Sequence, residues 1–290
     1  MGNRSLYFLI AVIIINCSER STAQNSRADE LVSVCSESTA PFVYESIDGD
    51  QGKEGISGLH IENLALLENS TGLKLEFRLL PWKRCLYSVE NYAEPGDYEI
   101  ALNAAYNEER AEKFHLVGPL YTFNTAVFYS RDKHPDGPIV NESGEIVSRL
   151  SDLKDFSVCA LLGWNLEIFY TKHGFPRSVK FEQTAGGFQS AFDMISNDRC
   201  DMIQAPPTIV FGEIGMERLN MPKDLACITL DEPPENFYLL VSKNSPRAEE
   251  LVTKLGAAII RLQNLGQWKS TNEVRDFPAL EEIEAAFNCM

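Results

Sequence analysis

Tyr98-Glu-Ile-Ala-Leu-Asn-Ala-Ala-Tyr-Asn-Glu-Glu-Arg-Ala-Glu-Lys113 decides the fold class. Tyr98 to Leu102 reads as a strand, and a helix opens near Asn107-Glu-Glu-Arg110. The same order recurs on both sides. Upstream, Leu31-Val-Ser-Val-Cys35 is a short buried strand, and apolar residues at Leu59, Ile61, Leu64, Ala65 and Leu67 mark a helix ending near Gly72. Leu73 to Phe77 alternates as a strand, and Pro81 starts a helix through about Val89. Downstream, strands are expected at Phe156–Leu161, Val179–Phe181, Asp201–Gln204 and Phe237–Val241. Helices are expected at Asn165–Thr171, Gly187–Ser196 and Glu249–Leu265. Strand then helix, repeated, predicts an α/β chain with mostly parallel sheets flanked by helices. Between the two runs, Ser130 to Ser148 is rich in Pro, Gly, Asp and Ser and reads as a surface loop. The restart after that loop, in a chain of 290 residues, predicts two α/β lobes rather than one large core.

The N-terminus has the order of an export signal. Arg4 precedes the apolar run Leu6 to Ile15, and a polar stretch ends at Ser21-Thr-Ala23, so residues 1–23 read as a cleaved signal peptide. Ten apolar residues are too few to span a bilayer of roughly 30 Å. Lipid attachment at Cys17 is a second possibility, with Asn16 standing where a small residue is expected. The six remaining cysteines, Cys35, Cys85, Cys159, Cys200, Cys227 and Cys289, suit disulfides in an oxidising compartment. Their pairing stays open, and any one of them could be a buried thiol.

Lys plus Arg number 26 against 42 Asp plus Glu, a net charge of −16. Such a field repels phosphate backbones, which excludes nucleic acid as a partner. No Gly-x-Ser-x-Gly, His-Glu-x-x-His, Gly-x-x-x-x-Gly-Lys or Gly-x-Gly-x-x-Gly occurs, and the four histidines are scattered. No cofactor, no metal and no enzymatic activity are expected.

Several segments resemble the periplasmic solute-binding proteins of family 3, which serve polar amino acid uptake by ABC transporters. Gly55-Ile-Ser-Gly-Leu59 looks like that family's early Gly-rich turn, and Pro81-Trp-Lys-Arg84 is similar to a motif of divergent bacterial members. Asn107-Glu-Glu-Arg110, with Phe114 and Gly118-Pro-Leu-Tyr121, is similar to the family's Thr-x-x-Arg…Phe-Ser-x-Pro-Tyr segment. Asn197-Asp-Arg-Cys-Asp201 and Leu262-Gln-Asn-Leu-Gly-Gln-Trp268 resemble its later motifs. The resemblance implies the two-lobed type II periplasmic-binding-protein fold. Lobe 1 would hold 24–119 and 238–290, and lobe 2 would hold 125–232, with hinge crossovers at 120–124 and 233–237. In that arrangement Cys159 and Cys200 sit in or beside neighbouring lobe-two strands, which makes them the preferred disulfide.

Candidate ligand contacts follow from the same resemblance. In the family, an Arg at the position of Arg110 pairs with a ligand carboxylate through its planar fork. The alternative is a solvated helix Arg paired with Glu108 or Glu109. Trp82 offers a flat apolar wall, and Arg84 would supply a second cation. Trp164 stands at a strand-to-helix turn. Glu37, Asn103, Ala105 and Gln204 complete the expected set. Where amino acid binders place an Asp for the ligand ammonium, the chain has Gln204-Ala205-Pro206, so the carboxylate half of the site survives and the amine half does not.

The expectation is a monomeric periplasmic protein that binds a small polar, carboxylated solute in an interlobe cleft and presents it to a membrane transporter or sensor. The alternatives are an interaction module with a degenerate cleft and a secreted hydrolase.

Overall fold

The computed structural model describes residues 31–46, 55–94, 96–135, 139–162, 164, 170, 181–217, 219–220, 223–269 and 289. The expected signal peptide at 1–23, Cys17 and, apart from Tyr170, the helix expected over 165–171 lie outside them.

The first sheet is built around β1 (Leu31–Ser36), whose Val32, Val34 and Cys35 are fully buried. An apolar strand buried on both faces belongs at the centre of a parallel sheet. It pairs in parallel with β4 (Lys74–Leu79) on one side and β5 (Ile100–Ala105) on the other. β6 (Phe114–Phe123) and β12 (Glu235–Ser242) complete the order β4-β1-β5-β12-β6, with β12 antiparallel to both neighbours. Between β1 and β4 lie a short hairpin, β2 (Tyr44–Glu45) with β3 (Ile56–Ser57), and the helix α1 (Leu59–Thr71). The helix buries Leu59, Leu64 and Leu67, and it stops where Gly72, at φ 77°, closes an N–H bond onto Glu68. That left-handed turn is cheap only for residues such as Gly.

The second sheet has the order β11-β7-β10-β8-β9. It comprises β7 (Ala126–Ser130), β8 (Val158–Leu161), β9 (Phe181–Thr184), β10 (Met202–Ala205) and β11 (Leu225–Thr229). β8, β9 and β10 run parallel, while β7 is antiparallel to β10 and β11. Helix α4 (Gly187–Ser196) packs Ala191, Phe192 and Ile195 into this core. The last helix, which follows β12 over Ala248–Asn264, returns to the first sheet and buries Leu251, Leu255, Ile259 and Leu262. No helix among the described residues is long and apolar enough to cross a membrane.

The chain passes between the sheets at 124–125, after β6, and again at 230–234, between β11 and β12. The crossovers expected at 120–124 and 233–237 are therefore strand for much of their length. Glu235 pairs with Phe123 and Phe237 with Tyr121, which extends β6 and β12 as an antiparallel ribbon up to the passage. Phe42, Tyr121, Phe123 and Phe237 pack beside it, with ring centroids 4.9–5.2 Å apart.

Three disulfides are formed: Cys35–Cys85, Cys159–Cys200 and Cys227–Cys289. Cys289, assigned to the first lobe by its place in the chain, is bonded to β11 of the second sheet. Disulfide partners are set by proximity in space, which here places Cys289 beside the second sheet.

Candidate ligand-binding cleft

Arg110 lies in α3 (Glu108–Lys113), directly after β5. The side chain of Asn107 caps the helix by accepting the Arg110 backbone N–H at 2.7 Å. This holds the first turn in place and turns the guanidinium inward, because Asn at an N-cap satisfies an otherwise orphaned helix donor. Arg110 is buried at 8% exposure, which overturns the solvated alternative. One terminal nitrogen donates to the Ala105 carbonyl at 2.7 Å, and the guanidinium carbon sits 5.5 Å from the centre of the Trp82 ring. Its Nε has no partner among the described residues. Burial lowers its pKa to about 10, opposed by Glu109, Glu37 and Glu235. It remains fully charged at neutral pH.

Trp82 opens α2 (Trp82–Glu90) immediately after Pro81. Three residues on, Cys85 bonds to Cys35 of β1 and ties the helix to the sheet. Trp82 is thereby held beneath Arg110. Arg84 is exposed and does not line the cleft. Two helical positions separate it from Trp82, about 200° around the axis, so the two side chains cannot share a face.

The cavity lies between the two sheets. Glu37, Thr39, Asn103, Ala105, Arg110 and Trp82 line it from the first lobe, and Trp164, Gln204, Ala205 and Ile209 from the second. Trp164 donates its indole N–H to the Glu37 carboxylate across the cleft. Burial raises the Glu37 pKa to about 7; the Trp164 bond and Arg110 pull it down, and Glu213 pushes it up. Asn103 sits within β5 at φ 75°, in the left-handed region that Asn tolerates better than most side chains. The Oδ1 of Asn103 and the Oε1 of Gln204 are buried without a partner among the described residues. Buried polar atoms of native proteins are nearly always satisfied; Asn103 has the His60 ring beside it, and Gln204 Oε1 and Arg110 Nε, both on residues lining the cavity, are left for a bound molecule to complete.

The lobes meet on one side of this cavity. Helix α5 (Pro207–Gly215) carries Glu213, which accepts the backbone N–H of Ala40 at 2.9 Å. Its neighbour Gly212 lies so close that an added Cβ would stand 2.5 Å from both the Ala40 carbonyl oxygen and Pro41 Cδ.

The sequence reading missed the residues at the crossovers. Glu235, Thr125 and Phe237 all line the cavity, and Thr125 donates to Glu235 at 3.4 Å. Burial raises the Glu235 pKa, against the pull of Thr125 and Arg110. Its only sequence signal is an acid just ahead of the apolar run Phe237–Val241, in Asp231-Glu-Pro-Pro-Glu235, which a solvated loop would show equally.

The model of the bacterial extracellular solute-binding proteins, family 3, matches residues 31–273. No curated protein sequence matches the chain. Among solved structures, an ancestral arginine-binding protein bound to glutamine is 18% identical, with a TM-score of 0.61, over 85% of this chain and 96% of that one. The amino acid ABC transporter substrate-binding protein AbpA from Streptococcus pneumoniae, bound to L-arginine, is 18% identical with a TM-score of 0.60, over 91% and 97%. A histidine kinase sensor domain with similarity to periplasmic binding proteins is 15% identical with a TM-score of 0.62, over 89% and 95%. At these identities the likeness is one of fold.

Proposed function

The chain belongs to the bacterial extracellular solute-binding proteins of family 3, and on that footing we propose that its cleft binds a small polar, carboxylated solute. The observation that carries this reading is the buried Arg110 guanidinium, stacked on Trp82 and lining the interlobe cavity with an unpartnered Nε. A planar, permanently charged donor fork suits a carboxylate, which it can meet with two parallel hydrogen bonds. The second lobe supplies Trp164, Gln204 and Ile209, so a bound solute is enclosed from both sides and holds the lobes together. The protein acts outside the cytoplasmic membrane, as a monomer without catalysis, and hands its solute to a transporter or reports it to a membrane sensor. Residues 1–23 serve as the export signal in this reading.

A thermal-shift screen of the purified protein against amino acids, organic acids, sugars, polyamines and small peptides tests it. A ligand at a hundred times its Kd adds about 2.7 kcal/mol to stability, which raises the melting point by about 5 °C in a chain of this size. The expected result is a hit among carboxylated solutes that Arg110→Ala abolishes. A hit indifferent to Arg110→Ala, or hits confined to uncharged sugars, overturns the carboxylate reading.

A further inference from the structure

Charge in the cleft is unbalanced in a way that constrains the solute further. Three ionisable side chains line the cavity: one guanidinium, Arg110, and two carboxylates, Glu37 and Glu235. Arg110 already donates one nitrogen to Ala105 and stacks on Trp82. A solute carboxylate on Arg110 would therefore bring a third carboxyl group to one guanidinium in a partly buried space, where burial already raises the pKa of both Glu37 and Glu235. Burying like charges costs several kcal/mol unless they are paired or protonated, so a cationic group on the solute would favour a charged Glu235 beside a solute carboxylate.

On this ground, and resting on the solute-binding reading above, we propose that Glu235 is the partner of a cationic group on the solute. It takes over the role that Ala205, at the end of β10, has no side chain to perform. Glu37 is less free for the task, because it accepts the Trp164 indole N–H and faces Glu213 from the other lobe. The described residues give Glu235 one hydrogen bond, a long one of 3.4 Å from the Thr125 hydroxyl. A further buried acceptor without a donor among the described residues, Gln204 Oε1, belongs to a residue that lines the same cavity. The aromatic faces of Phe237 and Tyr106, also on the lining, suit a cation as well.

The location has a consequence. Glu235 opens β12 and Thr125 precedes β7, so their hydrogen bond joins the two passages between the lobes. A cation that draws Glu235 into the cavity acts on the hinge itself, whereas a cation held at position 205 would act on the second lobe.

The test uses paired probes on the full protein by calorimetry. L-lysine, L-arginine, L-glutamine and 5-aminopentanoate are each compared with the counterpart in which a hydroxyl replaces one ammonium, and glutarate serves as a dicarboxylate. The wild type is expected to prefer an ammonium probe over its hydroxyl counterpart by about tenfold or more in Kd, the scale of one well-placed charge pair. Glu235→Gln should erase that preference while binding of the hydroxyl counterpart stays within about threefold. Glu235→Asp, which keeps the charge, should retain most of the preference and provides the comparison if Glu235→Gln does not fold. An unchanged preference in Glu235→Gln, or glutarate as the tightest probe, overturns the Glu235 assignment and leaves the Arg110 site standing. Binding of no probe by the wild type overturns the solute-binding reading and this one together.

Discussion

The guanidinium carbon of Arg110 lies 5.5 Å from the centroid of the Trp82 indole, and both side chains are more than nine-tenths buried. A cation over an aromatic face inside a cleft is held without being neutralised, which leaves its remaining donors for a solute. Trp82→Ala should weaken solute binding by roughly 0.5–2 kcal/mol, about two- to thirtyfold in Kd. Arg110→Lys, which keeps the charge and loses the fork, should bind at least tenfold more weakly, the scale on which one strong charge-assisted bond is felt. Equal binding by Arg110→Lys and wild type in calorimetry would contradict bidentate recognition.

Glu37 makes stability depend on pH in a definite direction. Its folded pKa of about 7 stands above the ordinary 4.5, so between those values the folded chain holds a proton that the unfolded chain releases. Its contribution to stability is complete below about 4.5 and is lost as the pH rises through about 7. Urea midpoints of the wild type should fall from pH 5 to pH 8 by more than those of Glu37→Gln. The difference should be on the order of 1–3 kcal/mol. A slope equal in both proteins would remove Glu37 as its source.

The contact between the lobes at Ala40 and Pro41 leaves no room for a side chain at Gly212. Any Cβ there meets the backbone of Ala40 and the ring of Pro41, neither of which can swing aside. Gly212→Val is expected to force the two lobes apart at this contact. Solute affinity should fall about tenfold or more. Small-angle scattering in saturating solute should give the larger radius of gyration of the open form. A Gly212→Val protein that closes and binds like wild type would show that this contact does not govern closure.

The Cys35–Cys85 bond spans 50 positions and anchors the helix that presents Trp82. Cys85→Ser should lower stability by about 2–4 kcal/mol, the usual worth of a bridge closing a loop of this length. It should also weaken solute binding, since Trp82 starts the released helix. Loss of stability with unchanged affinity would separate the disulfide from the site.

Asn103 is expected to tolerate Gly and to resist a β-branched residue. At φ 75° the backbone there costs Gly nothing, whereas Val should lose about 1–3 kcal/mol. Chemical denaturation of the two variants checks this.

Much of the fold is legible residue by residue. Buried β1 follows from Leu31-Val-Ser-Val-Cys35, the end of α1 from Gly72, and the start of α2 from Pro81, because each depends on neighbours within a turn or a strand. Strands β6 and β7 and helix α5 did not stand out. The β6 sequence is broken by Gly118-Pro119, and the apolar Thr208-Ile-Val-Phe211 has no helical period. Arg84 shows the limit at the site. Its motif resembles a ligand-contacting one, but the helix that Pro81 starts carries it to the solvent side.

The sequence by itself determined the alternation of strand and helix, the doubling into two lobes, and Arg110 as an anion-binding candidate. The first two rest on interactions between residues close in the chain, and the last on the resemblance that Asn107-Glu-Glu-Arg110 carries. Only the tertiary structure decided what surrounds that Arg. Thr125 and Glu235 meet across 110 positions, and Ala40 and Glu213 across 173. A carboxylate in a loop and a carboxylate in a cleft look the same in sequence. They differ in burial and in the charges that other segments bring alongside, and those are properties of the packed chain.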